Sequence, residues 1–364
     1  MDGIGHYTSQ LMKRLSLDGR LDVVPYAHGC SSPGDILGLR NGPIILPNFI
    51  ASLALSSMTG LPFPGARKLT DQVDLIHATD HFIPNLGKIP MVASLMDSIP
   101  LAHPEWVAPR LRKLKNLMWK RSAKWADHFV TISRFSKEQI ETHFGIPEEI
   151  IHVIPLGVDE HWFDTASESI TKKTLSTYGL PDRYFIFVGA LQPRKNILRI
   201  IKAHSSLPAH LRHEIPLIIA GHAGWQCDDL VQAFAAGRYG KSVMWLKYVP
   251  DNDLSILVKN AIALVFPSLY EGFGLPVLEA FAANTPVITS TISALPEVAG
   301  DAALLVDPLD EGQIADAMQR ISEDIALAHR LKHAGQARAR LFSWDDTANL
   351  HIGMYQKILG IGQN

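Results

Sequence analysis

Cysteine is nearly absent. The 364 residues hold two, Cys30 and Cys227, far apart in the chain. That pair offers neither a disulfide framework nor a metal or redox spacing, and it suits a reducing compartment. An excess of charge is lacking too: the net charge is −2 and the isoelectric point is near 6.8, which excludes a global nucleic-acid footprint. No apolar run is long enough to cross a bilayer. The most apolar stretch, Ile44 to Met58, is broken by Pro47 and Asn48 and is too short. The opening residues carry no signal-peptide pattern. The sequence therefore reads as cytoplasmic, with any contact to the inner face of the plasma membrane peripheral. Internal repeats and low-complexity tracts are missing as well. What is present, 47% apolar and 19% charged residues, is ordinary for a folded globular chain. The length exceeds what one core usually serves, so two domains are expected.

The sequence is organised around Ser268-Leu-Tyr-Glu-Gly-Phe-Gly-Leu-Pro-Val-Leu-Glu279. Before it, Ala261 to Phe266 is a short apolar run of the kind that forms a strand buried on both faces. After it, from Pro276, come good helix formers, with proline placed at the first helical position. The segment is thus expected to be strand, tight turn, helix. Gly272 and Gly274 suit the turn, and the N–H groups of Phe273, Gly274 and Leu275 would sit at the positive end of the helix, where an anion is favoured. Glu271 lies in the turn and Glu279 one turn into the helix.

Those two glutamates, eight apart around Gly-Phe-Gly-Leu-Pro, resemble the E-x7-E signature of retaining GT-B glycosyltransferases of family 4 (group 1), and of its mannosyltransferase-like members in particular. Phe187-Val-Gly-Ala-Leu-Gln-Pro-Arg-Lys-Asn196 and Leu295-Pro-Glu-Val-Ala-Gly-Asp301 extend the resemblance over nearly the whole chain. It implies an α/β fold of two Rossmann-like domains facing a central cleft. The expected parts are residues 1–163 for the acceptor, 164–344 for the nucleotide sugar, and a helix over 345–364 returning to the first domain. Glu279 would hold the donor ribose hydroxyls and Glu271 would lie near the transferred sugar. Gly189, Gly221, Gly3 and Gly5 would lie in loops that meet the donor. The combination of Asp-x-Ile-Pro, Pro-Arg-Lys-Asn and Tyr-Glu-Gly-Phe-Gly-Leu-Pro leans toward GDP-mannose as donor substrate, a lipid-linked or saccharide acceptor, and polysaccharide assembly. No cofactor and no metal are expected. A sugar-nucleotide epimerase or phosphorylase of the same fold, or a weakened nucleotide-sugar-binding protein, are the alternatives.

Chemistry supports the same residues. Arg194 and Lys195 follow a strand and a glycine, and adjacent cations suit a diphosphate: the guanidinium grips two oxygens and the ammonium adds a point charge. Facing solvent in the cleft, they would neutralise the leaving group where charge develops. Asp251-Asn-Asp253 matches a D-x-D metal motif formally, but precedes a helical run, so Asp251 or Asn252 is expected to be an N-cap. His77 and His81 are four apart at a strand end, which is no helical metal pair.

Around Asp97 the family pattern weakens, since Met96-Asp97 stands where relatives often carry His-Asp. Asp97 and His77 remain candidates for contact with the sugar or the acceptor hydroxyl. The start is also unusual. Gly3 and Gly5 read as a glycine turn leading into an amphipathic helix with no strand before it, so the first strand of that domain is expected to be missing. The polar stretch from Asp164 to Thr177, rich in Ser, Thr and Lys, reads as the linker. Finally, Arg110, Arg112, Lys113, Lys115, Lys120, Arg121 and Lys124 fall in one helical segment without an acid, with Leu111, Leu114, Leu117, Met118, Trp119 and Trp125 among them. Such a helix suits an anionic membrane surface.

Overall fold

The computed structural model describes residues 3–29, 43–81, 83–107 and 111–361. Contacts divide the chain into two compact units. The first comprises Met1–Pro104, Pro109–Gly157 and Trp344–Asn364, the second Glu105–Ala108 and Val158–Ser343. The passage between them thus falls at Gly157/Val158, ahead of the expected 163/164 boundary.

In the first unit helix α1 (Gly3–Leu17) precedes strands β1 (Tyr26–His28) and β2 (Ile44–Leu46) and helices α2 (Phe49–Thr59) and α3 (Arg67–Thr70). Then come strands β3 (Ile76–Ala78) and β4 (Met91–Ser94), helices α4 (Ile99–Ala102) and α5 (Arg112–Ala123), strand β5 (His128–Thr131), helix α6 (Arg134–Phe144) and strand β6 (Ile151–Val153). β3 to β6 make a parallel four-stranded sheet in sequence order, and β1 pairs with β2 in a separate parallel pair. Among the described residues the first element is α1. The expected glycine turn is not there: Gly3 and Gly5 belong to the first turn of that helix.

The second unit is an alternation of strand and helix: α7 (Glu168–Thr177), β7 (Phe185–Val188), α8 (Ile197–Ser206), α9 (Ala209–Glu214), β8 (Leu217–Ala220), α10 (Asp228–Ala235), β9 (Val243–Lys247), α11 (Asp251–Asn260), β10 (Ala263–Phe266), α12 (Leu275–Ala282), β11 (Val287–Ser290), α13 (Leu295–Ala299), β12 (Leu304–Val306), α14 (Glu311–Glu323) and α15 (Ile325–Ala339). Its six strands are parallel in the order β12-β11-β10-β7-β8-β9. The order reverses at β7: the chain builds outward through β8 and β9, then returns to lay β10 on the other side of β7. Ligands of such sheets bind beyond the carboxyl ends of the strands at this reversal. Every residue of β7, β8, β10 and β11 is buried, which is why these strands are continuous apolar runs.

The stretch expected as a linker holds α7. Ser167 caps it by accepting from the Ile170 N–H, and Glu168 pairs with Lys172 one turn on. Such a helix escapes a periodicity reading because it has no apolar stripe: its buried residue is Thr174, while Ile170 is exposed. The last helix, α16 (Trp344–Ile358), belongs to the first unit and packs on α1. Tyr7, Trp344, Ile352, Met354 and Tyr355 are buried there, and Arg14 pairs with Asp345 at 2.7 Å.

Candidate active site

The site in the second unit is assembled by the loops after β7 and β10, the two strands flanking the reversal. Pro193–Lys195 forms one turn of 3-10 helix, ended by Asn196 in the left-handed conformation (φ 63°). The Asn196 amide donates to the carbonyls of Pro267 (3.0 Å) and Pro308 (2.6 Å). The Leu269 N–H donates to the Arg194 carbonyl at 2.7 Å. These bonds fasten one loop to the other and so fix where the two cations point. The sequence reading passed over Asn196 although it completes Pro-Arg-Lys-Asn; a side chain able to sit at positive φ directly after a cation pair was the available signal.

The cations do not project freely into solvent as expected. Lys195 Nζ donates to Glu271 Oε1 at 2.7 Å, and Arg194 Nη1 donates to Glu271 Oε2 at 2.9 Å and to the Tyr270 carbonyl at 3.1 Å. Lys195 and Glu271 are buried and Arg194 is largely so. The Lys195 ammonium also sits 4.7 Å from the centroid of the Phe266 ring. Burial opposes the charge on Glu271 more than any other single effect, yet Arg194 and Lys195 together outweigh it and hold the carboxyl at about 2. For Lys195 burial wins: despite Glu271, the ammonium is pushed down to about 8. Glu279 acts on the same ammonium through space, opposing that shift. Both glutamates of the pair therefore converge on Lys195.

Helix α12 begins at Leu275, one residue ahead of the expected start, with Pro276 inside its first turn. Gly274 precedes it at φ 118°, and a Cβ there would come within 2.7 Å of the Leu295 side chain, so only glycine fits. The N–H groups of Phe273, Gly274 and Leu275 engage no acceptor among the described residues and lie at the positive end of the helix. The Phe273 side chain itself is buried against Phe342. Its part in any donor site is therefore its backbone. The Leu295-Pro-Glu-Val motif is a buttress for this turn: Ala294 N–H donates to the Glu271 carbonyl, and Ser293 Oγ accepts from the Glu271 N–H.

Gly189 and Gly221 end β7 and β8. A Cβ on Gly221 would stand 2.0 Å from the Gly189 carbonyl oxygen, so the two loops can approach this closely only through glycine. Gly272 is buried beside Glu271.

The remaining expected site residues, Gly3, Gly5, His77 and Asp97, stand in the first unit. His77 is in the middle of β3, not at a strand end, and it is engaged on both sides. Its Nδ1 is 2.6 Å from the Tyr355 hydroxyl and its Nε2 2.8 Å from Ser94 Oγ, while its ring stacks on His351. Tyr7 joins the same network through Ser94 (3.0 Å) and His351 (2.9 Å). A little of the His77 surface stays accessible, but the ring nitrogens lie inside the network, and their desolvation, aided by His351, holds the ring well below the usual histidine range. These contacts give His77 a packing role between β3 and α16. Asp97 Oδ1 accepts from the Ile99 N–H at 3.0 Å, capping α4; its other oxygen accepts no hydrogen bond among the described residues. Asp251 is the first residue of α11 and Pro250 holds the cap position, so neither Asp251 nor Asn252 is the N-cap, and Asp253 accepts from the Tyr178 hydroxyl. Cys227 is a buried thiol near the Gly224 carbonyl; Cys30 and Arg110 lie outside the described residues.

Two family models match most of the chain: Glycosyltransferase Family 4 over residues 1–162 and Glycosyl transferases group 1 over residues 176–338. O-antigen chain mannosyltransferase B of Escherichia coli is 30% identical over 371 residues, covering 98% of this chain and 96% of that protein. The chain is a family 4, group 1 glycosyltransferase. A further relative, serotype-specific mannosyltransferase WbdA of Escherichia coli, is 32% identical over 244 residues, 65% of this chain, and the match spans 30% of that longer protein. The crystal structure of Anabaena HepE in complex with UDP and glucose superposes with a TM-score of 0.74 at 18% identity, covering 98% of this chain and 96% of that one. That likeness carries the fold: the two parallel-sheet units of this glycosyltransferase are the Rossmann-like domains of GT-B enzymes.

Proposed function

We propose that this glycosyltransferase moves a sugar, mannose above all, from a nucleotide-diphosphate donor, GDP-mannose above all, to a lipid-linked or saccharide acceptor in polysaccharide assembly. The observation that carries the proposal is the meeting of Arg194, Lys195 and the free N–H groups ahead of α12 at the sheet reversal. Two cations and a helix N-terminus form a built site for a diphosphate. The names of the mannosyltransferase relatives support the sugar and the pathway class. In the reaction the bond between the anomeric carbon and the diphosphate oxygen breaks, the acceptor hydroxyl bonds to that carbon on the same face, and its proton passes to the departing diphosphate. The retaining outcome is what the E-x7-E resemblance of Glu271 and Glu279 implies, and with no residue assigned as nucleophile it is the departing diphosphate that takes the acceptor proton on that face. Because the chain's own cations neutralise the leaving group, we read it as independent of metal and of any cofactor. Glu279 is assigned to the donor ribose, Glu271 to holding the cations and flanking the sugar, and Asp97, through its uncommitted oxygen, to the sugar or acceptor hydroxyl.

Helix α5 suits a peripheral membrane contact that would bring a lipid-linked acceptor close. Its inner face, Trp119 and Ala123, is core, while Leu111, Leu114 and Leu117 are exposed among its cations. No helix among the described residues is long and apolar enough to cross a membrane.

The test is incubation with GDP-mannose, UDP-glucose, ADP-glucose or TDP-glucose and a lipid-linked acceptor, with and without EDTA, the product anomer being read by NMR. Transfer from GDP-mannose with the α-configuration kept, in EDTA, is expected. Inversion, strict dependence on Mn²⁺, or release of free nucleotide without transfer would each overturn the corresponding part.

A further inference from the structure

Helix α2 is built inside out. Its buried residues are Ser52, Leu53 and Ser56, while Ile50 (72% exposed), Leu55 (49%) and Met58 (86%) face outward, joined by Leu61 (63%) just past its end. Helical geometry places residues 50, 51, 54, 55 and 58 on one arc and 52, 53 and 56 on the other, so the inversion is a property of the whole face. The inward serine is committed: Ser56 Oγ donates to the Leu61 carbonyl and accepts from Asn85 Nδ2 at 2.9 Å. Both ends are closed, by Asn48 accepting from the Ala51 N–H and by Gly60 in the left-handed conformation. The helix thus needs no partner to form its backbone bonds, yet presents large aliphatic side chains to the outside. From Asn41 to Ala66 the sequence has no charged residue, an arrangement unusual for a solvent-exposed helix.

What adjoins it decides the occupant. Phe49 meets Phe63 at 5.4 Å between ring centroids and Phe63 meets Trp125 at 5.9 Å, so an aromatic chain links the start of α2 to the end of α5. Leu53 and Phe63 share one core cluster with Trp119 and Ala123. Helix α2, with its uncharged outward face, and α5, which bears Arg112, Lys113, Lys115, Lys120 and Arg121, therefore pack on one core. We propose that the outward face of α2 inserts into the headgroup–acyl boundary of an anionic lipid surface, with α5 supplying the electrostatic attraction. With 11 residues the helix is too short to span and would lie in the plane of the interface. The inference rests on the peripheral-membrane reading of α5 and adds the apolar anchor to it.

The two helices predict separable behaviour with salt. Charge attraction fades when the screening length shrinks to about 3 Å in 1 M salt; burial of aliphatic side chains does not. The experiment is sedimentation with phosphatidylcholine–phosphatidylglycerol vesicles at low and at molar salt, on the wild type, on Ile50→Ser/Met58→Ser/Leu61→Ser, and on Lys113→Glu/Lys120→Glu/Lys124→Glu. The wild type should bind at low salt and keep a salt-resistant fraction. The serine variant should bind at low salt but lose the salt-resistant fraction by roughly tenfold, with an unchanged melting temperature because the altered side chains are exposed. A bimane on Met58→Cys should shift to the blue with vesicles. Absence of binding by the wild type at every salt sinks the peripheral reading and the inference together. Wild-type and serine variants that bind alike at both salts, or an unshifted bimane on a bound protein, sink the inference alone. A concentration-dependent dimer dispersed by the serine changes would give the face to a second copy of the chain and also overturn it.

Discussion

Each unit encloses a cluster of polar side chains, and the two clusters follow opposite rules. In the second unit one carboxylate, Glu271, lies between two cations, Arg194 and Lys195, with burial opposing its charge and that of Lys195. In the first unit Tyr7, His77, Ser94, His351 and Tyr355 form a closed set of neutral donors and acceptors, each nitrogen of both imidazoles being engaged. A buried ion cluster with an imbalance of charge is costly to hold and is found where a ligand completes it. A saturated neutral network fixes one packing and asks for nothing further. Burial and titratable side chains alone therefore do not mark a catalytic site; an unmet charge does.

The largest effect expected from this contrast is that of Arg194→Ala with Lys195→Ala. Turnover should fall by roughly 10²- to 10³-fold or more. Because both cations are sheltered partners of Glu271, stability should fall too, by about 3–5 kcal/mol, which urea unfolding would read. A double variant as stable as the wild type would show that the ion cluster carries no structural weight.

Acid should strike the other cluster. His351 is held at about 4, mainly by burial, and His77 is lowered as well. Both depressed values mean that the unfolded chain binds protons the folded one refuses. Stability is therefore full above about 6.5 and is lost as pH falls toward 4, by up to about 3 kcal/mol for His351. Unfolding curves from pH 7 to pH 4 test this, and a His351→Gln variant should lose most of the slope. An identical slope in that variant would relocate the acid sensitivity.

Glu271→Gln sharpens the contrast from the other side. With the carboxylate gone the two cations face a neutral amide, so a nucleoside diphosphate should bind about tenfold tighter even as turnover drops. Weaker binding by calorimetry would instead place the Glu271 carboxylate in direct contact with the donor.

Lys195 gives a signature in alkali. Its charged form prevails below about 8, so kcat/KM for the donor should decline as pH rises through that value. Stability should move the opposite way. The folded value lies below the unfolded one, so the penalty for a buried ammonium is relieved between about 8 and 10.5. Lys195→Arg should carry the activity limb beyond the accessible range; a limb that stays put belongs to another group. The smallest structural effect is expected for Asp97→Asn, which keeps an acceptor for the Ile99 N–H. Stability should change by less than about 0.5 kcal/mol while turnover falls. Full turnover in D97N would remove Asp97 from the proposed site.

Much of the second unit was legible because its buried parallel strands are written as apolar runs and its turn as glycines between a strand and a helix. Three strands escaped notice, β1, β2 and β12, each of three residues with a partly accessible pattern. Such segments have too little periodicity to register. The cation pair was found by its residues, but its burial was not, since the carboxylate that shelters it lies 76 positions from Lys195. The engagement of His77 was hidden for the same reason. Its partner Tyr355 is 278 positions away, and no local pattern says whether a strand histidine faces a ligand or a helix from the far end of the chain.

That separation has a consequence for how the protein is made. The second unit apart from its short 105–108 piece is continuous from Val158 to Ser343, whereas the first needs Trp344–Asn364 as well as its own residues. Chains emerge from the ribosome from the amino end, and domains fold as their parts appear. The part synthesised first must then wait for the part synthesised last: until α16 has emerged, Tyr7 and His77 lack His351 and Tyr355, and the later unit can finish folding before the earlier one. A nascent chain stalled just short of Trp344 would thus display a protease-resistant carboxyl-terminal core behind an amino-terminal half still open to cleavage.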